Sequence, residues 1–135
     1  MDARGTPLGL TLSGANEHDS TRLAVTLDAV PGVRTGRRGR PRRRPDKLHA
    51  DKAYDHRRCR RECRARGIVP RIARRGVESS ARLGRHRWVV ERTLAWLARF
   101  RRLTIRYERR ADLHLAFTTL ACALVCLNQC RRFCP

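Results

Sequence analysis

Acidic side chains are scarce in this 135-residue chain: 12 Asp and Glu stand against 32 Lys and Arg, for a formal net charge of +20. Such a field repels cationic ligands and opposes association of like surfaces. It makes a polyanion the expected partner, nucleic acid ahead of an acidic membrane surface. Lysine is scarcer still. Only Lys47 and Lys52 occur, beside 30 arginines, a bias that a GC-rich genome also produces through its codons. That lowers the weight of any one arginine without removing the field they make together.

Long apolar runs are missing as well. The longest nearly apolar stretch, Leu115 to Leu127, has 13 residues and is interrupted by Thr118 and Thr119. It falls short of the roughly 20 residues of a bilayer span and reads as a buried helix of a soluble domain. Met1-Asp2-Ala3-Arg4 has neither an apolar core nor a small-residue cleavage site, so no signal peptide is expected. Cysteine pairs with the two-residue gap of zinc knuckles are absent. Instead Cys122, Cys126, Cys130 and Cys134 recur every fourth residue, as do Cys59 and Cys63. On a helix that spacing forms one stripe whose members are poorly placed to bridge. They read as reduced core cysteines rather than metal ligands. No internal repeat is visible, and the length allows one domain with a modest core.

Pro7 to Ser13 alternates Leu8, Leu10 and Leu12 with Gly9, Thr11 and Ser13, the pattern of a half-buried strand. Gly5-Thr6-Pro7 before it reads as a hairpin turn, so the chain is expected to begin inside a hairpin, as if cut. Asp19-Ser20-Thr21 offers an N-cap for a helix through about Ala29, ended by Pro31-Gly32. Residues 33–46 carry no hydrophobic periodicity and form an arginine-rich loop; residues 31–50 hold eight basic groups against one acidic. Leu48 to Ala50 reads as a short strand, Tyr54 to Arg66 as a helix stopped by Gly67, and Ile68 to Ile72 as a second short strand. Arg74 to Arg85 is expected to be another basic loop. The clearest helix, His86 to about Arg102, places Val89, Thr93, Trp96, Leu97 and Phe100 on one stripe. A last helix covers about 112–131. This order points to an α/β layered domain.

Two acidic residues stand in unusual settings. Asp51 follows the strand ending in Ala50, and ligands collect at the carboxyl ends of strands in open α/β sheets. Glu91 lies mid-helix among Arg87, Val89, Val90 and Arg92. Together they could clamp a divalent cation such as magnesium, which prefers oxygen ligands. The plainer readings make Asp51, or Asp55, the N-cap of the following helix, and pair Glu91 with Arg87 one turn back. Trp88 and Trp96, eight residues apart, read as core rather than as base-stacking platforms. His49 reads as a packing residue, His18 as support for the turn into the first helix, and Tyr54 as a ring packed under the site. Arg38-Gly39-Arg40-Pro41 has the form of an AT-hook core reaching into a minor groove. Nonspecific phosphate contact is the alternative adopted, and it carries a steep salt dependence.

Four motifs in order, Asp2-Ala-Arg-Gly-Thr-Pro-Leu8, Ala15-Asn-Glu-His-Asp-Ser20, Ala50-Asp-Lys-Ala-Tyr-Asp55 and Arg87-Trp-Val-Val-Glu-Arg92, resemble the C-terminal part of bacterial insertion-sequence transposases. The resemblance is to the insertion-sequence-5 family of the DDE superfamily and covers Asp2 to about Tyr107. It implies a ribonuclease-H-like fold, a mixed sheet with flanking helices, spanning 1–135 and incomplete because the first strand is missing. It implies that Asp51 is the second catalytic aspartate, that Glu91 is the catalytic glutamate, and that both are metal ligands for Mg2+ or Mn2+. Arg87 matches the arginine of the family's Tyr-Arg-Glu-Lys signature. The tyrosine position of that signature falls on Gly84, and its lysine position on Ala98 beside Arg99. The first catalytic aspartate belongs to a strand upstream of the residues matching Asp2, so the chain alone is expected to be nearly inactive.

The resemblance further implies metal-dependent phosphoryl transfer on transposon ends and target DNA. Arg87, Lys52, Arg37, Arg38, Arg40, Arg42, Arg43, Arg44 and Arg99 would hold DNA. The chain would be cytoplasmic and nucleoid-associated in a bacterium, off the membrane, and partnered by DNA and by intact transposase or further copies of itself. The rival reading is a non-catalytic DNA-binding remnant or an inhibitor of intact transposase. A ribosomal or nucleoid basic protein is a more distant rival.

Overall fold

The computed structural model describes residues 1–34, 36, 38–77 and 80–133, and for residues 80–87 and 133 the backbone alone. The elements run α1 (Leu23–Asp28), β1 (Lys47–Ala50), α2 (Arg57–Ala65), β2 (Val69–Ile72), α3 (Ser80–Ala98), α4 (Arg101–Thr104) and α5 (Ala111–Phe133). Single 3₁₀ turns cover Asp19–Thr21 and Lys52–Tyr54. The chain divides into two compact units, Ser13–His86 and Met1–Leu12 with Arg87–Pro135.

In the Ser13–His86 unit, β1 and β2 pair in parallel, with Lys47 opposite Val69 and Ala50 opposite Ile72. The connection is α2, a right-sized crossover for two parallel strands. Six of its nine residues are arginine or glutamate, yet Cys59 and Cys63, one turn apart, are almost completely buried. They meet Leu23, Ile68 and Ile72, with Leu27, Leu48, Ala50 and Tyr54 packed around them. Burial pushes the Cys63 thiol pKa up, which keeps it protonated and unreactive. Gly67 ends α2 at φ +68, and Ile68 N–H donates to the Cys63 carbonyl at 2.8 Å. Only glycine takes that left-handed turn without strain.

The other unit is built around α5. Its inner side buries Thr118, Ala121 and Val125. Gln129 receives the Thr6 hydroxyl, and the Cys126 thiol lies 3.8 Å from the Pro7 carbonyl. On α3, Thr93 is buried and donates to the Gly5 carbonyl at 2.8 Å and to the Val89 carbonyl at 3.0 Å. Gly5 sits at φ +82, and a Cβ there would lie 2.7 Å from the Thr93 hydroxyl. The α4 turn packs on α5, with the Arg102 guanidinium 4.9 Å from the Phe117 ring centre and 2.7 Å from Glu108.

Four expectations change. Pro7–Ser13 is not a strand. Alternating leucines do not suffice where no partner strand supplies a ladder among the described residues, and α5 takes up the start of the segment instead. The basic stretch before His86 is helical from Ser80, in keeping with the high helix propensity of arginine, alanine and leucine. The apolar run 115–127 lies within a 23-residue helix that by length and composition could cross a membrane, and only 17 % of its most apolar stretch is buried. It is therefore not a buried core helix. The cysteine stripe is core only in part: Cys122 and Cys126 are half-buried, Cys130 is exposed, and Cys134 lies outside the described residues.

Candidate active site

Asp51 follows β1 directly and is exposed. Its backbone is extended, and its Oδ1 accepts from the Ala53 N–H at 2.9 Å, capping the Lys52–Tyr54 turn. Neither Asp51 nor Asp55 caps the following helix: Asp51 caps the 3₁₀ turn, and α2 has His56 at its N-cap with no side-chain cap hydrogen bond. The Asp55 carboxylate accepts from Arg60 at 2.6 Å and from the Arg75 N–H at 2.9 Å. Arg60 also donates to the Ile72 carbonyl at 3.0 Å, so one arginine ties the turn after Asp51 to the end of β2.

The Arg60 guanidinium first, then the Arg75 amide, holds the Asp55 carboxyl below the usual aspartate range. A depressed folded-state pKa contributes stability that is present above the unfolded value, near pH 4, and lost as pH falls through the folded one. Thermal melts from about pH 6 to 3 should therefore show falling stability below about pH 4. The Asp55→Asn variant should start less stable at neutral pH and lose less on acidification; equal pH profiles for the two proteins would remove this anchor from the account.

Tyr54 packs against the apolar cluster of Leu23, Cys59, Cys63, Ile68 and Ile72. Its phenol pKa is raised by burial, then by the Asp19 and Asp51 carboxylates. Asp19 is the residue sequence reasoning missed, having been read only as a helix cap. The 3₁₀ turn is capped instead by His18, whose ring also meets Ser20 Oγ at 2.8 Å and the His56 ring edge-on at 5.3 Å. Ser20 in turn accepts from Arg58 at 2.6 Å, and its carbonyl faces the Cys59 thiol at 3.5 Å. The motifs Ala15–Ser20 and Ala50–Asp55 thus lie in one neighbourhood. Their nearness in space was the signal that spacing along the chain could not give. His49 is exposed rather than packed.

In the arginine-rich loop, Val33 and Arg42 exchange backbone hydrogen bonds of 2.8 and 2.9 Å, closing the base of the loop. Arg42 pairs with Asp46, and Arg44 donates to the Arg66 carbonyl at 2.7 Å, at the end of α2. Arg38, Arg40 and Arg43 are exposed, while Arg37 lies outside the described residues. Gly36 and Gly39 both have positive φ and open space around them. Lys52 is half-buried, and its carbonyl accepts from Arg75 at 3.1 Å.

Glu91 and Arg99, in the α5-containing unit, are exposed on and just after α3. The Arg87 side chain lies outside the described residues. Between them Arg92 stands with its guanidinium 4.5 Å from the Trp88 ring centre and 4.9 Å from that of Trp96, and it donates to the Arg4 carbonyl at 2.5 Å. Trp88 is half exposed and does not fill a core, whereas Trp96 is half-buried; the two together hold a cation between π faces. The first and fourth motifs meet here through Arg4–Arg92 and Gly5–Thr93.

Carboxylate oxygens are suitable donors for magnesium or manganese, and both candidate ligands are exposed. Among the described residues, however, no three His, Cys, Asp or Glu side chains gather as a metal-binding group. The donor chemistry fits; an assembled centre of three protein ligands is not present among those residues.

Comparison with known proteins bears on all four motifs. The transposase DDE domain family matches residues 1–126. A protein of Burkholderia cepacia, assigned as a transposase for insertion sequence element IS402, is 55% identical over 131 residues, which cover 97% of this chain and 62% of the relative. The chain thus spans under two-thirds of the length of that relative. No solved structure matches it significantly. A family match over nearly the whole chain, joined by a relative of this identity, shows that the chain belongs to the transposase DDE domain family.

Proposed function

We propose that the chain supplies two of the carboxylates, and much of the DNA-holding surface, of a DDE transposase catalytic domain with a ribonuclease-H-like fold. Family membership over residues 1–126 carries this reading, with Asp51 at the carboxyl end of a parallel strand as its structural support. Asp51 and Glu91 would hold Mg2+ or Mn2+, which when bound stabilises the charge on the attacking and leaving oxygens of phosphoryl transfer. The chain's own residues bind and orient the substrate. Arg38, Arg40 and Arg43, exposed on the loop closed by Val33 and Arg42, hold phosphates, with Arg37, Lys52, Arg87 and Arg99 extending the surface. Arg42 and Arg44 act mainly by shaping the loop through Asp46 and Arg66. The reaction uses no protein nucleophile.

We infer that these 135 residues by themselves transfer no strand, since the resemblance carries only two catalytic carboxylates, Asp51 and Glu91, onto them. A second reading is a DNA-binding chain that competes with intact transposase for transposon ends, supported by the exposed arginines of the 33–46 loop. Both readings place the chain on DNA in the bacterial cytoplasm. Duplex binding measured against salt tests what they share, and cleavage by a completed chain separates them.

A further inference from the structure

The outer face of α5 carries a pattern that the DNA-directed reading does not use. Leu113, Leu120 and Leu127 recur every seven residues, with Ala116, Ala123 and Cys130 three residues after each. All six are exposed, the leucines by 46 %, 57 % and 46 %. The residues that α5 uses within its own unit, Thr118, Ala121, Val125 and Gln129, lie on another side of the helix. An a/d repeat sustained for three heptads is the seam of a helix that packs on a second helix. From Leu113 to Cys130 no residue is charged apart from the titratable His114, so the seam adds no like-charge contact of its own to the repulsion of the rest of the surface.

The repeat also identifies its partner. Turned antiparallel about a two-fold axis between Leu120 and Ala123, the helix sets Leu113 against Cys130, Ala116 against Leu127, and Leu120 against Ala123. Every large residue meets a small one, and each contact is made twice, as an isologous interface requires. The same register brings Arg131 at one end to Asp112 of the other copy. Both sit in terminal turns of the helix, where acidic and basic residues already favour the opposed dipoles. Within one chain Asp112 pairs with Arg110 at 2.6 Å and stays largely exposed, leaving room for a second arginine. A parallel pair would set leucine on leucine, alanine on alanine, and Arg131 on Arg131.

We propose that α5 is a self-pairing surface through which two copies of this chain join antiparallel, along a seam about 26 Å long. The alanines let the helix axes come close, and each leucine fills the gap above an alanine or cysteine. Because the +20 charge opposes association everywhere else, added salt strengthens the pair by screening, opposite to its effect on DNA binding.

Sedimentation of the intact chain without DNA, over a concentration series at low and high salt, tests this. The expected result is a species of twice the 15.6 kDa chain mass that grows with concentration and with salt. Leu120→Asp, at an exposed position that should not disturb folding, should weaken association by about 100-fold or more, since it puts an unpaired carboxylate at the centre of the seam. Register is read separately. Oxidised Leu113→Cys protein should yield a peptide joining residue 113 of one copy to Cys130 of the other. A chain that stays monomeric, a dimer indifferent to Leu120→Asp, a dominant Cys130–Cys130 link, or partition of α5 into phosphatidylcholine vesicles in preference to dimerisation would each overturn the proposal.

Discussion

Affinity for duplex DNA should fall by about 10³-fold as monovalent salt rises from about 50 to 200 mM, the loss expected when some six phosphates are neutralised and their counterions released. The expectation rests on where the arginines are, and not only on their number. Residues 31–50 hold eight basic groups against one acidic, but Arg42 and Arg44 are committed to Asp46 and to the Arg66 carbonyl. Of the others, Arg34 and Lys47 are exposed where the loop begins and ends, and Arg38, Arg40 and Arg43 are exposed between them. Replacing the three loop residues by alanine should lower the logarithmic salt slope by about 3, near 0.9 for each contact. Arg42→Ala should act differently, by loosening the base of the loop at Val33 and reducing affinity without a full unit of slope. AT-rich and GC-rich duplexes should bind alike; a marked AT preference lost with Arg38 and Arg40 would instead favour the AT-hook reading.

The second large effect concerns chemistry. The 135-residue polypeptide should give no detectable nicking or strand transfer on transposon-end DNA. A chimera that adds the part of the Burkholderia relative outside the matched region should nick such ends in Mg2+. In that chimera Asp51→Asn or Glu91→Gln should each reduce the rate by about 10³-fold or more, because a ligand displaced by even an ångström costs about 10²-fold in positioning alone. Asp55→Asn should be milder. Its carboxylate is held by Arg60 and Arg75, so its loss disturbs the turn after Asp51 rather than the reacting atoms. A kinetic profile in which Asp55→Asn is as damaging as Asp51→Asn would move the catalytic role along the turn.

Much of the fold was legible because periodicity was strong where packing is local. Thr93, Val89, Trp96, Leu97 and Phe100 fall on the inner side of α3 and the turn after it, as their spacing predicts, and β1, α2 and β2 appear within a few residues of their expected bounds. Pro7–Ser13 misled because a period-two pattern reports exposure, whereas a strand also needs a partner. The helix starting at Ser80 was hidden because arginine reads as loop by charge but is a good helix former. The α5 run was found but misjudged: apolar on nearly every side, it gave no hint of which face its own unit would leave uncovered.

Site residues divided along the same line. Asp51 and Glu91 were visible as rare carboxylates in apolar or basic settings and then through motif resemblance. The Asp19–Tyr54–Asp51 neighbourhood and the Trp88–Arg92–Trp96 stack were not, because each depends on how distant segments or successive helical turns come together. The family match made the identity firm, while the geometry showed which arginines of the loop already have other work.

Asp51 and Glu91 are proposed as paired ligands of a divalent cation in the catalytic domain. Mn2+ binding to the chimera, followed by electron paramagnetic resonance on folded protein, tests it without depending on turnover. The expected result is a bound ion whose affinity drops at least about tenfold in Asp51→Asn and again in Glu91→Gln, with both variants retaining the parent's thermal transition. Unchanged Mn2+ affinity in both variants would contradict the claim and leave the chain a DNA-binding member of its family without a metal centre of its own.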